Sequence, residues 1–351
     1  MSFRRALLAA PLLFALGVAA QQRPRVLVFY DMEGVSGINR EPQTSFSHPD
    51  QYQPARKFLT GDVNAAIRGL VEGGAGDITV TDAHGSGNSL EPDILLDEMD
   101  QHANFEFRDV DFDPYSDVPD PKYQAIVCIG MHARANTPGF LAHTFTLEPA
   151  FRLNGIDITE TEIIAHSAAR FRVPVIMVSG DDVLQKQIAE RFPLAEYGLV
   201  KRARGRADAN LMPEPEAWSN IERAARRAIA KLPEFKPFPV EREYRFEHSF
   251  QNKAQTDRAA VYPGLTRVNE TAVGYTTPDF ISGYDQSKKL IQLATAERFT
   301  LLLNAVRARP DGKEIMADFE KLLITRWLEP EKMPKEDAAP LPVKKRYHGD
   351  N

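Results

Sequence analysis

The chain has 351 residues, with 43 Lys and Arg against 49 Asp and Glu, for a formal net charge of −6. Hydrophobic residues make up 43% and charged residues 26%, which excludes a wholly disordered chain, and the acidic balance has the wrong sign for a polybasic phosphate binder. The single cysteine, Cys128, excludes an internal disulfide framework and a thiolate-rich zinc site, so a bound metal would need His, Asp and Glu.

Residues 1–22 begin with Arg4 and Arg5, run through an apolar stretch from Ala6 to Val18, and reach Val18-Ala19-Ala20. That is the layout of a secretory signal peptide, assigned to residues 1–20. The apolar run is shorter than the roughly 20 residues of a spanning helix, and Pro11 interrupts it. The expectation is an exported chain, periplasmic or secreted, with no stable membrane insertion after cleavage.

Four apolar runs rich in β-branched residues follow: Arg25–Tyr30, Asp77–Thr81, Tyr123–Ile129 and Val173–Ser179. Runs of this kind suit strands buried on both faces of a parallel sheet. Between them, Pro54–Glu72, Thr159–Arg170 and Asp182–Phe192 read as helices, the first stopped by Gly73-Gly74. Farther on, Pro213–Leu232, Leu290–Val306 and Lys313–Leu328 read as helices and Val240–Phe250 as a half-exposed strand. The fold class expected is α/β: a mostly parallel sheet layered with helices, with a metal site at the carboxyl ends of its strands, plus a smaller C-terminal α/β domain. The domain map is 24–200 for the metal-binding catalytic domain, 201–328 for the C-terminal domain and 329–351 for a disordered Pro- and charge-rich tail.

The residues that follow each predicted strand carry the chemistry. Asp31-Met32-Glu33-Gly34 follows the first, Asp82-Ala83-His84 the second, His132-Ala133-Arg134 the third with His143 beyond, and Gly180-Asp181-Asp182 the fourth. Open α/β sheets bind ligands beyond the carboxyl ends of their strands. Asp31 and Glu33, two apart, lie on one side of extended backbone and can approach one cation or two neighbouring ones. Asp181 and Asp182 read as helix caps, and Asp82 as orienting a histidine rather than ligating. His48, His102, His166, His248 and His348 read as ordinary polar residues, and Cys128 as core packing. Nitrogen and oxygen donors without thiolate suit zinc above manganese or iron. A further carboxylate would come from Asp157, Glu160 or Glu162, where spacing leaves the choice open and helix capping is the competing role.

These residues resemble the zinc-dependent D-aminopeptidases of the bacterial dipeptide-transport operon. The shared features are Asp31-Met32-Glu33-Gly34, Asp82-Ala83-His84, the run from Gly130 through His132-Ala133-Arg134-Ala135-Asn136-Thr137-Pro138-Gly139 to His143, Asn154 with Glu160, and Val173-Pro174-Val175 leading to Gly180-Asp181-Asp182. The likeness covers about residues 25–305, and departs from the family motif at Phe29, where the family has serine. The resemblance implies two zinc ions per subunit, with Asp31 bridging, Glu33 and His132 on one ion, and His84 and Glu160 on the other. It implies His143 at the catalytic position and a homo-oligomer, a decameric ring enclosing the active sites.

The activity so implied is removal of the N-terminal residue from short peptides, D-Ala-D-Ala among them, by a two-zinc-activated water. Arg134 is a candidate for binding a substrate carboxylate, with a structural ion pair as the alternative. The competing functions are a two-metal amidase or esterase of other specificity, and a non-catalytic exported protein that binds a peptide or metal. The binding protein would have two hinged lobes of similar topology. Nucleic acid is not an expected partner.

Overall fold

The computed structural model describes residues 23–84, 91–107, 113–117 and 119–329. The expected signal segment, His348 and the tail beyond Glu329 lie outside the described residues. In chain order, β1 (Val26–Tyr30) leads to α1 (Pro49–Glu72), β2 (Ile78–Asp82), β3 (Ala103–Glu106), α2 (Pro114–Asp117) and β4 (Ala125–Met131). The strands β5 (Ala150–Leu153) and β6 (Ile156–Asp157) precede α3 (Glu160–Ala169), β7 (Val175–Asp181) and α4 (Asp182–Arg191). Then come β8 (Glu196–Ala203), β9 (Ala209–Leu211) and α5 (Glu214–Ala230). The remainder is β10 (Tyr244–Ser249), α6 (Lys253–Ala259), β11 (Thr266–Asn269), β12 (Ala272–Thr277), α7 (Phe280–Ala294), α8 (Glu297–Ala308) and α9 (Gly312–Leu328).

Seven strands form one sheet in the order β3-β2-β1-β4-β7-β8-β9, parallel except for the β8–β9 pair. The four apolar runs of the sequence are β1, β2, β4 and β7, with ends within two residues of the expectation. Side chains alternate across a strand, and here both faces are covered. Val26, Val28 and Tyr30 pack into one core with Leu59 and Val63 of α1 and Ala224 of α5. Leu27 and Phe29 enter a second core with Ile163 and Ile164 of α3 and Phe246 of β10. Phe29 is fully buried there, so the residue that departs from the family serine is part of the packing.

A second, antiparallel sheet runs β11-β12-β10-β5-β6. The expected boundary at residue 200 falls inside β8. The segment after it supplies β9 and α5 to the first sheet's side, while β5 and β6, from before it, join the second sheet. The expected helix Leu290–Val306 is two helices. The break comes at Thr295, whose hydroxyl and N–H both return to the Ile291 carbonyl, at 2.7 and 2.9 Å, and close α7. No described helix is long and apolar enough to cross a membrane.

His166 on α3 lies between these layers, 8% exposed, stacked on Phe280 with Phe238 and Tyr244 edge-on. Its Nδ1 is buried without a hydrogen-bond partner. Burial, with Arg191 adding repulsion, lowers its pKa to about 4. The unfolded chain binds a proton here near pH 6.5 and the folded chain does not. The stabilisation is therefore complete above about pH 6.5 and is lost as pH falls toward the folded value. In urea titrations at pH 7 and pH 5, the wild type should lose about 2 kcal/mol more stability than His166→Phe, which retains the aromatic packing without the proton site. Equal losses in the two proteins would show that His166 does not carry this pH dependence.

Candidate metal centre

The strand order of the first sheet reverses between β1 and β4, opening a crevice at their carboxyl ends. The two loops there meet main chain to main chain. Asp31 N–H donates to Ile129 O at 2.8 Å, and Gly34 N–H to Gly130 O at 2.7 Å. A Cβ on Gly34 would lie 1.9 Å from Met131 O, and Gly130 adopts φ +71° with its Cα facing Asp31 O, so neither position has room for a side chain. This contact sets Asp31 and Glu33 beside His132. From below, Lys201 of β8 reaches the same loop, its Nζ donating to Glu33 O at 2.7 Å and Ile38 O at 2.6 Å. Lys201 is fully buried over the Phe140 ring, and burial lowers its pKa to about 7 against the pull of Asp62 and Asp181.

The structure brings Asp31, Glu33, His84, His132, His143 and Glu160 together. Their donor atoms fall into two groups, Asp31–Glu33–His84 and His132–His143–Glu160, with the atoms of each within 4.8 Å of one another. His84 Nε2 lies 3.5 Å from Glu33 Oε1, and His132 Nε2 lies 3.3 Å from Asp31 Oδ2 and 3.4 Å from Glu160 Oε2. The second contact ties the groups together through Asp31. This distribution differs from the one the resemblance implies, since Glu33 is grouped with His84 and His132 with Glu160. His143 Nε2 is 3.7 Å from Glu160 Oε1, and its ring stacks on His132 at 4.0 Å.

The backs of these side chains are held by bonds that turn their front atoms toward one another. His132 Nδ1 bonds Ala133 O at 3.0 Å and His143 Nδ1 bonds Leu141 O at 2.8 Å. A carbonyl only accepts, so each Nδ1 carries the proton and each Nε2 of the neutral ring offers a lone pair. His84 Nδ1 lies 2.8 Å from Asp93 Oδ2, which points its Nε2 inward likewise. Asp93 is fully buried and accepts from the Tyr52 hydroxyl, while Arg56 holds its carbonyl at 2.8 Å. Glu160 starts α3, where Thr159 and Glu162 form a capping box. Its carboxylate accepts from Tyr115 Oη at 2.6 Å and from Phe145 N–H at 2.7 Å.

Three buried carboxylates in one cluster demand positive charge. Burial and repulsion from Glu33 push Asp31 well above the usual range. Burial also opposes ionisation of Glu33 and Glu160, but His84 pulls Glu33 well below that range, and His132 pulls Glu160 down to about 2. His132 rises against its burial to about 10 because Glu160 and Asp31 face it, and His84 rises well above its usual value because Glu33 and Asp93 do. Asp31 Oδ2, Glu33 Oε2 and His132 Nε2 remain buried without hydrogen-bond partners. Two carboxylate oxygens and an imidazole nitrogen left without partners in one buried cluster fit a divalent cation, to which the imidazoles would yield their protons, and a donor set without sulfur suits zinc.

Other residues singled out by the sequence have plainer places. Asp181 caps α4, accepting from Val183 and Leu184 N–H, and its second oxygen holds Phe140 N–H at 2.8 Å. Asp182 holds Ala203 N–H, Asp157 pairs with Arg152, and Glu162 pairs with Arg191. Asp82 bonds the main-chain N–H of His84, and the ring is oriented instead by Asp93, which the sequence reading passed over. Asn154 takes the left-handed turn at φ 53° and accepts from Arg245 N–H. Cys128 is buried in β4, and burial raises its thiol pKa. Arg134 is half-buried, with no ion pair to its guanidinium among the described residues.

Residues 25–287 match the model of peptidase family M55, described as D-aminopeptidase. A D-aminopeptidase of Bacillus subtilis (strain 168) is 26% identical over 275 residues, covering 77% of this chain and 97% of that protein. The solved structure of the Zn-dependent D-aminopeptidase DppA from Bacillus subtilis, described as a self-compartmentalizing protease, superposes with a TM-score of 0.71. It is 24% identical and covers 77% of this chain and 98% of its own, a likeness of fold. The match spans every element that contributes to the metal centre, and by it the chain belongs to the D-aminopeptidase family of peptidases.

Proposed function

We propose that this family member is an exported aminopeptidase that uses two zinc ions to release the N-terminal residue of short peptides, D-Ala-D-Ala among them. Family membership carries the enzyme class. The observation that carries the rest is the convergence of three carboxylates and three imidazoles at the sheet's switch point, with Asp31 Oδ2, Glu33 Oε2 and His132 Nε2 buried without hydrogen-bond partners. Two donor groups joined through Asp31 would hold two ions. Zinc bound there supplies Lewis acidity toward the scissile carbonyl and brings the ionisation of water near neutral pH.

This chain's own residues do the rest. His143 is the most exposed of the set, its side chain 20% accessible, so it faces the side from which substrate enters. Burial, the largest cause, lowers its pKa, which favours Nε2 as a free base at neutral pH. Nε2 can take a proton from the attacking water and return it to the leaving amine. Arg134, two residues beyond His132 and without a carboxylate partner among the described residues, is suited to the substrate's terminal carboxylate. A hinged binding protein would have two lobes of like topology, whereas here one sheet is parallel and the other antiparallel. Residues 1–20 act as the export signal in this reading, and the protein self-associates, a reading supported by the description of the DppA neighbour as self-compartmentalizing.

Purified chain stripped with a chelator should lose activity and regain it on addition of about two zinc per chain. Calorimetry in buffers of different ionisation enthalpy should show proton release on binding, because His84 and His132 give up protons to ligate. Saturation at one zinc would overturn the two-ion assignment, and binding without proton release would exclude ligation by a protonated His84 or His132. Asp93→Asn should weaken zinc binding about 10–100-fold by loosening His84. An unchanged affinity would exclude Asp93 from the site.

His143→Ala should retain zinc and lower kcat on D-Ala-D-Ala by about 10²–10⁴-fold, whereas Arg134→Ala should act mainly on KM. Faster release from L-Ala-L-Ala or from an ester would keep the metal centre and overturn the D-peptide assignment.

A further inference from the structure

The family match ends at residue 287, and α8 and α9 lie beyond it. The base of α8 is fastened to the body by Arg298–Glu148 at 3.1 Å and by Arg258–Glu297. Beyond that base, α9 packs chiefly on α8, and Gly312 is the one buried residue of the two helices.

The sequence of this hairpin is not that of a solvated one. Ile315, Phe319, Leu322, Leu323 and Trp327 recur along α9 at three- and four-residue steps, and Phe299, Leu302 and Val306 do so along α8. These stripes stay uncovered: Trp327 is 76% exposed, Leu302 57%, Phe299 59% and Phe319 47%. Ten large apolar side chains between Phe299 and Leu328 are at least 40% exposed. At roughly 150–250 Å² per free side chain they present on the order of 1,000 Å². A free monomer seldom exposes a patch above a few hundred Å², and each partner in a stable interface contributes about 800 Å².

We propose that the α8–α9 hairpin docks on the same hairpin of a second copy of this chain, completing a four-helix bundle about a two-fold axis. Two amphipathic helices with uncovered stripes are half of such a bundle, and a two-fold pairs each stripe with a surface of the same kind. The charges favour this occupant over an anionic membrane. The segment 297–328 carries six basic and five acidic residues, so it is close to self-complementary and lacks the Lys/Arg excess of a membrane-surface helix. The tail after Glu329 is a poor cover, since its apolar residues are scattered among four prolines and many charges. This inference deepens the self-association reading above and does not depend on the peptidase chemistry.

The test is sedimentation of the full chain with hydrogen exchange over residues 312–328, in the wild type and in Phe319→Glu/Leu323→Glu. Both substitutions fall on exposed positions, so they leave the fold of the single chain and its zinc content intact. In the wild-type multimer these amides should exchange at least tenfold more slowly than in the variant, and dilution to single chains should abolish the difference. A wild type that stays monomeric would overturn the proposal, as would equal protection in multimer and single chain. So would protection that appears only with vesicles of anionic phospholipid. Loss of peptide hydrolysis would bear on the metal centre alone.

Discussion

Placing Asp31, Glu33 and Glu160 in one buried cluster is the constraint on which the structure depends. An isolated buried carboxylate is very costly, and three together are tolerable only with matching positive charge and hydrogen bonds to every oxygen that faces protein. The chain meets half of that demand itself. Met32 N–H, Tyr115 and Phe145 N–H saturate the protein-facing oxygens of Asp31 and Glu160, and imidazoles supply protons when no cation does. What remains are lone pairs aimed at shared points in the crevice. The candidate ligands are therefore fixed by bonds behind them, as a preorganised metal site requires.

A second buried network supports the first. Lys201 donates to carbonyls at both ends of the Glu33–Ile38 turn, and Asp62 of α1 accepts from both the N–H and the hydroxyl of Ser36 within that turn. A loop carrying two carboxylates would otherwise be among the more mobile parts of an α/β sheet. Here it is bonded to a strand on one side and a helix on the other. The close contact of Gly34 and Gly130 fixes its height above the sheet. Asp181 extends the same scheme to the neighbouring loop by holding both the start of α4 and Phe140, three residues before His143.

The strands of the central sheet were legible because residues buried on both faces must be apolar throughout, and the cluster was legible because α/β sheets gather function where strands end. Other features leave no local trace. Asp93 lies in an aperiodic segment and reaches His84 only because Tyr52 and Arg56 of α1 hold it there. Lys201 stands beside Arg202 within Glu196–Ala203, and nothing nearby reveals that its ammonium is buried against the Glu33–Ile38 turn. Tyr115 resembles any loop aromatic. β5 pairs with β10, far along the chain, and carries β6 with it, so a boundary placed by texture at residue 200 misses an exchange set by long-range pairing. Which ligand accompanies which is likewise a matter of three-dimensional approach, and spacing does not encode it.

The ligands run from Asp31 to Glu160 and come from segments that are strangers in sequence. An ion seated among them would act as a reversible cross-link that closes loops of this length, and closure at one point would commit β1, β2, β4 and α3 to their relative positions. Resistance to unfolding then follows the free metal concentration logarithmically once the sites begin to fill. For the exported enzyme proposed above, zinc supply would set how long the molecule survives proteases as well as how fast it turns over.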